Sequence, residues 1–151
     1  ARNQRAARDV ILARLLEVML IEALRSSSGT AASPGLVRGL ADAKLATAIR
    51  RIHEAPAQNW TIAHLAQEVA LSRSAFFDRF TRAMGVTPME YLLSWRMALA
   101  KKFLRHSEGD MATIAERVGY GSASTFSVAF TRFVGQPPTQ YARQAIASAN
   151  K

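Results

Sequence analysis

A duplication limits what this chain can fold into. Residues 62–91 (IAHLAQEVALSRSAFFDRFTRAMGVTPMEY) recur as 111–141 (MATIAERVGYGSASTFSVAFTRFVGQPPTQY), with one residue inserted in the turn of the second copy. Ahead of the turn the pairs are Ala63 with Ala112, Leu65 with Ile114, Ala66 with Ala115 and Val69 with Val118. Beyond it Ser72, Ser74, Phe76, Phe80, Thr81, Arg82, Gly85, Pro88 and Tyr91 pair with Ser122, Ser124, Phe126, Phe130, Thr131, Arg132, Gly135, Pro138 and Tyr141. Whatever three-dimensional unit one copy forms, the other must form as well.

Each copy reads as a short helix, a tight turn and a second helix. Phe76, Phe80 and Ala83, or Phe126, Phe130 and Phe133, recur at helical spacing on the second helix, while the small Ala66 or Ala115 on the first permits a close, steep crossing. No stretch alternates with period two over strand length. Helices are expected over 36–54, 61–69, 72–84, 88–106, 111–118, 122–134 and 138–147. Pro56, Gly85, Gly109, Gly119 to Gly121 and Gly135 interrupt them, and Thr61, Ser72, Thr87, Asp110 and Ser122 stand where N-caps belong. Pro88 and Pro138 fall in first turns, where a missing N–H is harmless. Ahead of the repeat, apolar residues from Ile11 to Leu24 mark an amphipathic helix over about 5–25. Residues 26–35 (SSSGTAASPG) read as a flexible linker by composition. The expected fold is all-α: two helix-turn-helix units joined by a long central helix, with an extra N-terminal amphipathic helix. The expected domains are 1–25, 26–35 and 36–151.

Crossed helices of this kind enter the major groove with the N-terminal end of the second helix. Candidate DNA-contacting residues are those of that end not spent on the core: Arg73, Ser74, Phe77 and Asp78 in the first copy, and Ala123, Ser124, Ser127 and Val128 in the second. Ser72 and Ser122 are N-caps that also reach phosphate. Arg82 and Arg132 are phosphate candidates, and Arg79 a weaker one. Phe77 fits the core or the surface equally, and Asp78 stands four residues from Arg82 as an ordinary helix pair. On the joining helix, Arg96 is read as binding carbonyls or an acid, and Trp60, Trp95 and Tyr91 as core. Nineteen residues over 88–106 span roughly 28 Å, close to the ~34 Å that separates successive major-groove faces.

The charge supports a polyanionic partner: 20 Lys+Arg oppose 11 Asp+Glu for a net charge of +9, and 16 of the 20 are Arg. Guanidinium suits planar recognition of phosphates and bases. With no Cys, thiolate nucleophiles, disulfides and Cys-held zinc are excluded. His53, His64 and His106 lack metal-ligand spacing. There is no Gly-rich phosphate cradle, nucleophile elbow or carboxylate pair, so neither an enzyme nor a cofactor is expected. No apolar run reaches the roughly 18 residues of a membrane span. The opening Ala1-Arg2-Asn3 has neither initiator Met nor signal-peptide core, and the chain reads as the C-terminal part of a longer protein.

The double unit has a specific pattern. Tyr91, Trp95-Arg96-Met97, Ala100 and Leu104 lie on the joining helix, Ile114-Ala115 and Gly119-Tyr120-Gly121-Ser122 surround the second turn, and Phe126-Ser127, Ala129-Phe130, Gly135-Gln136-Pro137-Pro138 and Tyr141 complete the second copy. Over about residues 42–146 this resembles the DNA-binding domain of the AraC/XylS family of bacterial transcription regulators. The resemblance implies double-stranded DNA as partner, transcription regulation in the bacterial cytoplasm at the nucleoid, and RNA polymerase as a further contact. It also implies a homodimer through the N-terminal helix, and a small-molecule effector taken by an N-terminal, often cupin-like, domain. Asp78 and Val128 depart from the family, which often carries Arg at both places. Asp accepts from cytosine N4 and Val offers only an apolar contact, such as one to a thymine methyl. The alternative reading is a helical protein-interaction module, favoured by the weakly polar tip Ala123, Ser124, Ser127 and Val128.

Overall fold

The computed structural model describes residues 10–11, 14–19 and 34–151, and every regular element among them is helical. After an N-terminal helical segment at 10–11 and 14–19 come α1 (Pro34–Ala41), α2 (Ala43–Glu54), α3 (Ile62–Glu68), α4 (Arg73–Met84), α5 (Pro88–Arg105), α6 (Met111–Arg117), α7 (Ala123–Val134) and α8 (Pro138–Ala149). The rest of the N-terminal helix expected over 5–25, and most of the expected linker, lie outside the described residues. The chain divides into two compact units, one from residues 1–54 and 60–88, the other from 55–59 and 89–151.

Two expectations are corrected here. The helix foreseen over 36–54 is two helices, because Asp42 ends one and starts the next. Its Oδ1 accepts from the backbone N–H of Lys44 at 3.0 Å and of Leu45 at 3.3 Å, so a capping residue was concealed inside an otherwise periodic stretch. Pro34 and Gly35, assigned by composition to the linker, are the first residues of α1. Gly35 and Gly39 are both buried, and a Cβ on either would collide with Met84, at its backbone for Gly35 and at its sulfur for Gly39. These glycines let α1 lie against the end of α4, where Arg38 Nε also donates to the Ala83 carbonyl at 3.1 Å.

In the first unit α1 packs on α2 and α4, α2 on α3, and α3 on α4. Its core takes Leu45, Ile49 and Ile52 from α2, Leu65 and Ala66 from α3, and Phe76, Phe80 and Met84 from α4. Phe76 and Phe80 stack at 5.6 Å, and burying each ring stabilises the unit by about 1.5–3 kcal/mol. Met84 takes the third buried place on α4, while Ala83 is only half-buried. In the second unit α6 packs on α7 and α7 on α8. Ile114, Ala115 and Val118 meet Phe126 and Phe130 in its core, and Trp95, Met97 and Ala100 of α5 are buried. The aromatic series runs from Tyr120 through Phe126 and Phe130 to Tyr141, with centroids 5.8, 5.6 and 5.6 Å apart. Phe133 is half-buried, Trp60 is buried and Tyr91 is half-buried.

His53 of α2 is buried. Burial pushes its imidazole down to about 3, and the Arg14 charge acts in the same direction. The unfolded ring titrates near the ordinary 6.5, so the unfolded chain takes up the proton first. Stability held by the neutral ring is complete above pH 6.5 and is lost by up to about 1.4 kcal/mol per pH unit as pH falls toward 3. Chemical denaturation between pH 7 and 4 should show this loss, with a shallower slope in a His53→Phe variant; identical slopes would show that other groups govern the acid limb. For α1, Gly35→Ala should lower stability by about 1–3 kcal/mol through overpacking against Met84. Were Gly35 in a flexible linker, thermal melting would instead show no loss.

Candidate nucleic-acid interface

The two turns share one geometry. Ahead of α4, Ala70 is left-handed at φ 55° and Leu71 N–H donates to the Ala66 carbonyl at 3.0 Å. Ahead of α7, Gly119 is left-handed at φ 89° and Tyr120 N–H donates to the Ala115 carbonyl at 2.8 Å. The inserted residue of the second copy is Gly121, which follows the left-handed position. Ser72 then caps α4 by accepting from Ala75 N–H at 3.2 Å, and Ser122 caps α7 by accepting from Thr125 N–H at 3.1 Å. Thr61 and Asp110 cap α3 and α6 in the same way. The first helical residues after the serine caps are therefore Arg73 and Ala123, one residue later than the expected starts. At the far ends Gly85 and Gly135 close both helices in the left-handed conformation.

A helix has 3.6 residues per turn, so residues 74, 78 and 82 form a stripe opposite the buried 76, 80 and 84. Ser72, Arg73, Ser74, Phe77, Asp78 and Arg82 are all exposed. Phe77, at 38% exposure, thus lies on the surface and outside the core. The second copy repeats the stripe at 124, 128 and 132: Ser122, Ser124, Val128 and Arg132 are exposed, Val128 by 61%, whereas Ala123 and Ser127 are half-buried. The Ser127 carbonyl accepts from the Thr131 hydroxyl at 2.7 Å. Both leading helix tips thus face solvent within their own units. The first carries charge and the second carries hydroxyl and apolar groups.

Several charged groups are committed to structure. Arg79 Nε donates to Asp42 Oδ2 at 2.6 Å. That hydrogen bond, helped by the backbone N–H groups of Leu45 and Lys44, holds the Asp42 carboxyl below its usual range. One carboxylate thereby caps α2 and ties α4 to it. Asp42 was not foreseen as a positioning residue; its signal was a capping side chain within the helical pattern. Among the described residues no ion pair joins Asp78 to Arg82, contrary to the helix pair expected there. Arg96 binds carbonyls as expected: Nε donates to Pro56 and Nη2 to Gln58, each at 2.9 Å. Burial pushes its guanidinium down and the neighbouring Tyr120 hydroxyl up, and each acts against the shift of the other. A Cβ at Gly119 would stand within 3.0 Å of that guanidinium. Arg96 therefore anchors residues 55–59 and lies against the turn that precedes α7.

Among the described residues no three His, Asp or Glu side chains could hold a metal ion, and no helix is long and apolar enough to cross a membrane.

Two helix-turn-helix units of one design, each with a capped and exposed second helix, define the class. The helix-turn-helix domain family matches over residues 65–144. A protein of Streptomyces lividans described as an AraC-like transcription regulator is 44% identical over 137 residues, 89% of this chain and 45% of that protein. The crystal structure of a DNA-binding transcriptional dual regulator from Escherichia coli K-12 superimposes with TM-score 0.61 at 25% identity, over 67% of this chain and 90% of that one. The DNA-binding domain of AdpA, solved with a target DNA, shares the fold with TM-score 0.67 at 24% identity, over 73% of this chain and 99% of that one. The chain belongs to the AraC-type family of helix-turn-helix transcription regulators and corresponds to its DNA-binding domain. It spans about half the length of the curated relatives it matches.

The two turns yield a paired test. Gly119→Ala should cost about 1–2 kcal/mol from its left-handed backbone, with a further loss as Arg96 is displaced. Ala70→Gly removes the same backbone penalty, offset in part by ~0.4–1 kcal/mol of unfolded-chain entropy. Thermal melts should show the first variant destabilised and the second unchanged or stabilised; equal losses would mean that the turns are not equivalent.

Proposed function

We propose that the chain binds duplex DNA sequence-specifically, reading two successive major-groove segments with the leading ends of α4 and α7. One observation carries the reading: in both copies the stripe opposite the buried phenylalanines is exposed at the tip of a serine-capped helix. The net charge of +9 supplies sequence-independent attraction to phosphate. In this reading Ser72, Ser122, Arg82 and Arg132 meet the backbone, and Arg73 meets phosphate or a base edge. Ser74, Phe77 and Asp78 read one segment, with Asp78 accepting from cytosine N4. Ala123, Ser124, Ser127 and Val128 read the other, with Val128 against a thymine methyl. Arg79, engaged by Asp42, is left as a positioning residue.

The wider roles belong to the same proposal. Residues 1–25 are the tail of an effector-sensing, dimerising domain, residues from 26 to α1 a linker, and the remainder the DNA reader. The proposal includes homodimerisation through the N-terminal helix, contact with RNA polymerase, an effector on the N-terminal domain, a non-enzymatic role and residence at the bacterial nucleoid, each supported by membership of the family. The weakly polar tip of Ala123, Ser124, Ser127 and Val128 leaves room for the second reading, a protein-docking module, in the second copy alone.

Titrating labelled duplexes across salt concentrations separates the two. DNA reading requires affinity to fall steeply with salt, the logarithmic slope being about 0.9 per neutralised phosphate. Arg73→Ala should weaken binding on all sequences and reduce that slope by about one. Asp78→Ala should alter preference at one base pair by ~1–3 kcal/mol with little effect on the slope. Salt-insensitive binding, or variants indistinguishable from the parent on every duplex, would overturn the assignment of α4.

A further inference from the structure

Between the N-terminal helical segment and α2, with Leu40 of α1 at one side, the first unit forms a cavity of about 490 Å³ that is open to solvent. Sites for small organic molecules run from ~300 to 1,000 Å³. Val10, Ile11 and Leu15 supply an apolar wall, and on α2 the short side chains of Ala43 and Ala46 leave the space that larger ones would fill.

The polar part of the lining is predominantly cationic. Arg14 comes from the N-terminal segment and Arg50 from α2. Thr47 spends its hydroxyl on the Ala43 carbonyl at 3.0 Å. Glu54 is the one acid among the described residues of the lining, and it is shared between Arg50 and Arg51 at 3.7 Å each. Arg14 meets Glu17 at 3.6 Å. These pairs are long and solvent-accessible, so they exchange at little cost. His53 also lines the space while only 5% exposed, and its neutral ring adds hydrogen-bonding capacity without charge.

We propose that this cavity binds a small amphiphilic carboxylate, its apolar body against Val10, Ile11, Leu15 and Leu40 and its carboxylate toward Arg14 and Arg50. An apolar guest would make no use of Arg14 and Arg50, whose pairs with Glu17 and Glu54 are long and accessible, and an amine would meet like charge in both. A carboxylate matches the planar fork of arginine. The ligand would bridge the N-terminal segment and α2, and so stabilise the first unit by mass action. Its lining shares no residue with the exposed stripes of α4 and α7, and its test does not depend on DNA.

Octanoate is a suitable probe, with octanol and octylamine as uncharged and cationic counterparts, titrated calorimetrically into the full 151-residue chain. Octanoate should bind saturably, raise the unfolding temperature, and bind about tenfold more tightly than octanol, the value of one charge-assisted hydrogen bond. Arg14→Gln with Arg50→Gln should remove that tenfold preference. Ala46→Phe, filling the cavity, should abolish binding while circular dichroism remains helical. Should that variant fail to fold, the surface arginine pair still decides the matter. No saturable heat, equal affinity for octanol, or octanoate binding unchanged in the arginine double variant would each overturn the proposal.

Discussion

The close crossing of two helices over a single alanine is the constraint on which the rest of each unit depends. Ala66 and Ala115 are 1% and 0% exposed, and Phe76, Phe80, Phe126 and Phe130 are wholly buried above them. A larger side chain at either alanine would separate the helices and open space beneath the rings, and interiors are packed too densely to absorb such a gap without loss. Because the phenylalanines take one face of α4 and α7, the opposite face is left to solvent. The exposed stripe is therefore a direct consequence of the packing.

Much of this was legible in the amino-acid sequence because the signals are local. Serine caps, left-handed glycines and the spacing of aromatic residues act over three to eight positions, and each stood where the helices begin, end or pack. Longer-range features were less accessible. Arg79 and Asp42 are 37 residues apart, and nothing in the spacing of either announces the other. Gly35 looked like linker because composition records what a residue permits, whereas its burial against Met84 is a property of the fold. Asp42 shows the reverse difficulty: its capping tendency was plain in chemistry but was outweighed by the apolar periodicity on both sides. For the interface, the sequence set the candidate positions, and only the structure separated exposed Phe77 from core and half-buried Ser127 from its exposed counterpart.

The differences between the two copies are as informative as their identities. Where packing or backbone geometry allows one solution, the copies agree: the serine caps, the paired phenylalanines, the terminal glycines and the tyrosines at 91 and 141. Where the chain meets solvent they diverge, with Arg73, Phe77 and Asp78 replaced by Ala123, Ser127 and Val128. One divergence lies inside the turn itself. Ala70 tolerates a left-handed backbone because its side chain is exposed, whereas in the second copy the Arg96 guanidinium occupies the space a Cβ would need. Glycine at 119 thus satisfies the backbone and also makes room for Arg96 to reach the carbonyls of Pro56 and Gln58. The second turn is backed by the half-buried Arg96, and in the first copy the Asp42–Arg79 bridge ties α4 itself to α2. Two copies of one plan have found separate ways to fix the helix that each presents, and in both the fixing residues lie off the exposed stripe, which leaves its side chains free to vary without cost to the fold.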